Sequence, residues 1–135
     1  MQKIEHIGIA VKDLAAAKEV YENLLGVPCY KEEKVESESV NTAFFRTGNN
    51  KIELLAATNE DSAIHKYLDK NREGVHHIAF AVQDIHEEMK RLRKAGFRLL
   101  NEEPKRGADN KLICFVHPKD NCGVLIELCQ EINNK

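Results

Sequence analysis

Two histidines and two glutamates stand at matching places in a sequence that repeats itself. His6 opens His6-Ile-Gly-Ile-Ala-Val-Lys-Asp13, and His77, 71 residues later, opens His77-Ile-Ala-Phe-Ala-Val-Gln-Asp84, with five of the eight positions identical. Glu53 lies in Lys51-Ile-Glu-Leu-Leu55 and Glu127 in Leu125-Ile-Glu-Leu-Cys129, 74 residues apart, so the second copy carries three extra positions. Neutral imidazole and carboxylate are the side chains that bind divalent first-row metals. The glutamates are flanked by apolar residues on both sides, and an unpaired carboxylate buried there costs several kcal/mol. Two imidazoles and two carboxylates converging on a concave sheet would remove that cost by holding one divalent ion.

Strand alternation supports that placement. Over 4–11, Ile4, His6, Gly8 and Ala10 share one face, and Ile7, Ile9 and Val11 the other. Over 75–82, Val75, His77, Ala79 and Ala81 share a face, opposite His76, Ile78, Phe80 and Val82. His77 therefore matches His6 in phase and His76 does not. The bulky faces are seats for helices, whereas the histidine faces carry small residues that leave room for something else. Each copy runs on into an amphipathic helix, 13–25 and 84–95, with Asp13 and Asp84 placed to cap it and Gly26 and Gly96 placed to stop it. Two further strands follow in each half, Tyr30–Val35 and Val40–Arg46, then Arg98–Asn101 and Leu112–His117, before the strands that carry the glutamates. The fold class is therefore α+β, two tandem βαβββ modules. Module one covers about 3–58, a linking helix 60–71 and module two about 74–130, within one domain of 135 residues.

Composition limits the functions open to such a chain. With 20 Lys+Arg against 22 Asp+Glu, a net charge of −2 and 42% hydrophobic residues, it has no basic face for nucleic acid and the makeup of a globular protein. No apolar run approaches the roughly 20 residues of a membrane span, and a strand beginning by Ile4 leaves no room for a targeting peptide. Cys29, Cys114, Cys122 and Cys129 form no C-x-x-C pair, as expected of reduced thiols in a cytoplasmic protein.

The segments Glu5-His-Ile-Gly-Ile-Ala-Val11, Lys51-Ile-Glu-Leu-Leu55 and Gly74-Val-His-His-Ile-Ala-Phe80 resemble those of the vicinal oxygen chelate superfamily. Glu103-Pro-Lys-Arg-Gly-Ala108, His117-Pro-Lys-Asp120 and Gly123-Val-Leu-Ile-Glu-Leu128 favour its methylmalonyl-CoA epimerases. The resemblance spans residues 3–130 and implies an open, barrel-like sheet around a metal held by His6, Glu53, His77 and Glu127. Cobalt(II) is the ion associated with that activity, and the ligand types also admit zinc, nickel or manganese. The implied reaction interconverts (2R)- and (2S)-methylmalonyl-CoA through a metal-stabilised enolate, with Glu127 as one acid/base group.

Some relatives place a glutamate on the strand matching 40–46; the matching residue here is Thr42, which leaves the second acid/base group unassigned. Lys105, Arg106 and Lys119 are the cations suited to CoA phosphates. A homodimer is implied as well. The rivals are a lactoylglutathione lyase-type glyoxalase, which also uses His/Glu pairs beside a carbonyl, and a metal-free small-molecule binding module of the same fold.

Overall fold

The computed structural model of the chain describes residues 1–132. Its elements follow the repeat: β1 (Lys3–Ala10), α1 (Leu14–Leu25), β2 (Lys31–Val35), β3 (Val40–Thr47) and β4 (Asn50–Ala57) come first. After α2 (Ala63–Lys70) come β5 (Gly74–Ala81), α3 (Ile85–Lys94), β6 (Lys105–Gly107), β7 (Lys111–Val116) and β8 (Ile126–Glu131). Asp13 and Asp84 start the two long helices alike, each carboxylate accepting the N–H three residues on at 3.1 Å. Gly26 ends α1 in the left-handed conformation (φ 71°), where a side chain would be strained. No helix among the described residues is long and apolar enough to cross a membrane.

Residues 6–76 form one compact unit, and residues 1–5 form another with the chain from His77 onward. In the first, the strand order is β2-β3-β4-β1, with β1 parallel to β4 and the other pairs antiparallel. One face packs Ala43, Phe45, Leu54 and Ala56 beneath Leu14, Ala17, Tyr21 and Leu25 of α1. Phe45 and Leu54 are fully buried there, each worth about 1.5–3 kcal/mol over an exposed side chain. The register puts His6, Gly8, Glu53, Thr42 and Phe44 on the other face. There α2 covers only one end, through Ile64 against Ala10, Val40 and Leu55.

The second unit repeats the scheme as β5-β8-β7-β6, with β5 parallel to β8. Helix α3 buries Ile85, Met89 and Leu92 against Val82, Cys114, Val116 and Leu128. The opposite face carries Ala79, Ile113, Cys129 and the half-buried Phe115.

One predicted strand is different. Residues 98–101 make only an isolated bridge, Leu99 to Val116, and the edge strand proper is the shorter Lys105–Gly107. Both lie along β7, separated by an interruption. Within it the Asn101 side chain takes the place of the ladder, its Oδ1 accepting the Phe115 N–H at 3.0 Å. Pro104, with no N–H to donate, forbids regular pairing just before β6. The three extra residues of the second copy lie in the turn between β7 and β8, where a 3-10 turn at Pro118–Asp120 replaces the tight Thr47–Asn50 turn of the first.

Candidate functional site

Each half brings its histidine and glutamate together by the same register. Gly8 on β1 lies opposite Glu53 on β4, and Ala79 on β5 lies opposite Glu127 on β8. With no bulk at Gly8 or Ala79, the histidine two residues earlier on the same face leans over toward the glutamate. His6 Nε2 stands 3.3 Å from Glu53 Oε1, both side chains 6% exposed, and His77 Nε2 stands 3.4 Å from Glu127 Oε1, also buried. Phe115 holds the His77 ring edge-on at 5.9 Å between centroids. His76 is half-buried and packs its ring against Tyr67 at 4.9 Å instead.

These spacings suit metal ligands. A charge-assisted N–H···O bond closes to about 2.7–2.9 Å. Two atoms bound to one ion at roughly 2.0–2.2 Å, at an angle between a right angle and the tetrahedral angle, stand roughly 3–3.5 Å apart. Both pairs fall in that second range, and the donor set of imidazole and carboxylate fits zinc, cobalt, nickel or manganese.

The cations expected at CoA phosphates are placed differently from one another. Lys105 lies opposite Ile113 and so shares the face of Glu127. Arg106 has the opposite phase and donates from Nη2 to Asn110 Oδ1 at 3.1 Å. Lys119 is exposed in the 3-10 turn, where its backbone N–H donates to His117 Nδ1 at 3.1 Å. Thr42 is fully buried on the face of Glu53, its hydroxyl donating to the Glu33 carbonyl at 3.0 Å.

Two features on the first half's site face escaped sequence reasoning. Glu33, directly across from Thr42, shares its face, and its carboxylate lies 3.4 Å from Lys31 Nζ. Further along, Tyr30 packs on Phe44 at 6.0 Å and carries the Arg46 guanidinium over its ring at 4.2 Å. The alternation of charged residues in Lys31-Glu-Glu-Lys34 was the available signal for Glu33, since only one of its two glutamates can face inward. Cys114 and Cys129 are buried, and burial pushes the Cys114 thiol up in pKa.

The profile of the glyoxalase/bleomycin resistance protein/dioxygenase superfamily matches residues 5–115. An ethylmalonyl-CoA/methylmalonyl-CoA epimerase of Cereibacter sphaeroides is 42% identical over 130 residues, covering 95% of this chain and 97% of that protein. The crystal structure of methylmalonyl-CoA epimerase from Mycobacterium tuberculosis is 38% identical and superposes with a TM-score of 0.93 over 97% of this chain and 89% of that one. A methylmalonyl-CoA epimerase solved with methylmalonyl-CoA and NH4+ is 41% identical, with a TM-score of 0.91 over 97% and 95% of the two chains. By its α+β topology, its repeated modules and these likenesses, the chain belongs to the glyoxalase/bleomycin resistance protein/dioxygenase superfamily, within the methylmalonyl-CoA epimerase family.

Proposed function

We propose that the protein interconverts (2R)- and (2S)-methylmalonyl-CoA with one divalent metal ion held jointly by His6, Glu53, His77 and Glu127. The observation that carries the reading is the buried His–Glu pair found at the same register in both halves. The names and ligand of the epimerase relatives supply the substrate. Two protein ligands are few for a divalent ion and four are ample, so the two halves would work as one domain. Cobalt(II) is the ion the family resemblance favours; zinc, nickel and manganese suit the same donors.

When bound, the ion supplies Lewis-acid stabilisation of the charge that develops on the thioester oxygen as C2 loses its proton. The protein's own residues do the rest. The absence of bulk at Gly8 and Ala79 lets each histidine lean toward its glutamate, and Glu127 removes or returns the C2 proton as a general base and acid. Lys105, Arg106 and Lys119 are the proposed partners of the CoA phosphates, with Lys105 best placed because it shares the face of Glu127. A homodimer, which rests on the family resemblance, and a cytoplasmic location, which rests on reading the four cysteines as reduced thiols, complete the proposal.

The test is incubation of cobalt-loaded protein with a single methylmalonyl-CoA epimer in deuterated water. Deuterium at C2 together with formation of the other epimer is expected, and a chelator should abolish both. Absence of deuterium at C2 would overturn the proposal. Turnover of a glutathione hemithioacetal in its place would establish the lyase reading, and undiminished epimerisation after complete removal of metal would remove the ion from the mechanism.

A further inference from the structure

We infer that Glu33 is the second acid/base group of the reaction, acting from the first half as Glu127 acts from the second. The inference rests on the proposed epimerase reading and deepens it. Inversion at a carbon requires a proton to leave one face and another to arrive at the opposite face, and a single carboxylate fixed on one side exchanges the proton without inverting the centre. A second proton-carrying side chain is therefore needed, and the first half must offer one on the face that carries His6 and Glu53.

The register leaves a short inventory. The strand residues of that face are Ile4, His6, Gly8 and Ala10 on β1, Lys51, Glu53, Leu55 and Ala57 on β4, Val40, Thr42, Phe44 and Arg46 on β3, and Lys31, Glu33 and Val35 on β2. Glu53 is a proposed ligand, as Glu127 is, so the carboxylate sought on this face is one outside the proposed ligand set. Glu32 has the opposite phase and is held there by Lys18 of α1 at 3.3 Å. Among the described strand residues of this face, Glu33 is the remaining carboxylate.

Its setting suits the task. Thr42, directly opposite, is short and fully buried, and its hydroxyl is turned back onto the Glu33 carbonyl. The longer Glu33 side chain can thus extend over Thr42 toward the centre of the face. Glu33 is on the edge strand, its side chain 31% exposed, so it can trade protons with solvent between turnovers. Lys31 Nζ lies 3.4 Å from this carboxylate on the same face. The equivalent position in the second half, opposite Ile113, is Lys105, so the two halves offer an acid and a cation at the same place.

The experiment follows deuterium at C2 and epimer interconversion separately, for each epimer, in wild-type and Glu33→Gln protein loaded with cobalt. Interconversion by Glu33→Gln should fall by roughly 10²-fold or more. One epimer should still exchange its C2 proton within about tenfold of the wild-type rate, because Glu127 still serves that face. Metal content and melting temperature should match the wild type, and Glu33→Asp should recover part of the interconversion. Interconversion at the wild-type rate would overturn the assignment. So would equal loss of exchange from both epimers in folded, metal-loaded Glu33→Gln. Failure of the wild type itself to exchange either epimer would instead refute the epimerase reading, so the two failures are distinguishable.

Discussion

The two halves share a topology and a register but bury their helices to different depths. Helix α3 places Ile85, Met89 and Leu92 on one stripe and buries all three. Helix α1 buries none of its residues completely and leaves Val20 59% and Leu24 70% exposed. The spacing is alike in both, since Leu14, Ala17, Tyr21 and Leu25 of α1 also recur at three and four residues, but Ala17 offers little to bury and Tyr21 carries a polar end. On the opposite face the halves converge again, with Gly8 and Ala79 each facing a glutamate. Divergence in packing beside agreement in site geometry is what a shared chemical task predicts, since packing tolerates substitution and ligand spacing does not.

The sharpest way to break this comparison is to remove the histidines one at a time. If the halves contribute equally, His6→Ala and His77→Ala should each lower epimerase activity by more than the roughly 10–100-fold that loss of a group outside the ligand shell costs. Metal content measured on the same samples should fall too. Retention of activity by either variant would show that one half suffices. A smaller contrast is expected in stability. Met89→Ala should cost about 2–5 kcal/mol through the cavity it leaves, while Leu24→Ala should change stability by no more than about 0.5 kcal/mol. Denaturant midpoints would show the difference, and equal effects would contradict the unequal burial of the helices.

The smallest effect concerns the turns. In the second half Arg98 clamps Asp120 through two guanidinium bonds of 3.0 Å, and the Arg98 backbone N–H adds a third at 2.8 Å. These bonds lower the Asp120 pKa from 3.8 to about 2. A carboxyl depressed in this way stabilises the fold above its ordinary pKa and loses that contribution as pH falls from about 4 toward 2. Arg98 is exposed and Asp120 partly so, and solvent screening keeps the effect slight. Asp120→Asn should lower the melting temperature a little at pH 7 and by less and less as pH falls through about 2. A constant difference across that range would show that the clamp is not electrostatic.

Much of the positioning is legible in the sequence. Helix starts at Asp13 and Asp84 follow from capping chemistry, and the phase that His77 rather than His76 shares with His6 follows from alternation and repetition; which strands pair does not. The second half's edge was not legible. Arg98–Asn101 reads as a strand by its apolar content, yet the Asn101 side chain and Pro104 divert the ladder, and neither effect has a periodic signature. Glu33 was hidden for a related reason. Its facing depends on how β2 pairs with β3, and that register is set by a tight connection in which Glu36–Glu38 form a 3-10 turn and Ser39 adopts a left-handed φ of 53°.

The grouping of residues 1–5 with the second half bears on how the chain is made. The Gln2 N–H donates to the Ala81 carbonyl at 2.8 Å, so a backbone group near the start is satisfied by one synthesised some eighty residues later. During translation the first half can therefore gather its helix and sheet while its leading end stays unengaged. That end docks only once β5 has left the ribosome. A fusion partner or affinity tag attached ahead of Gln2 would thus crowd β5, a strand made some eighty residues after the segment it joins.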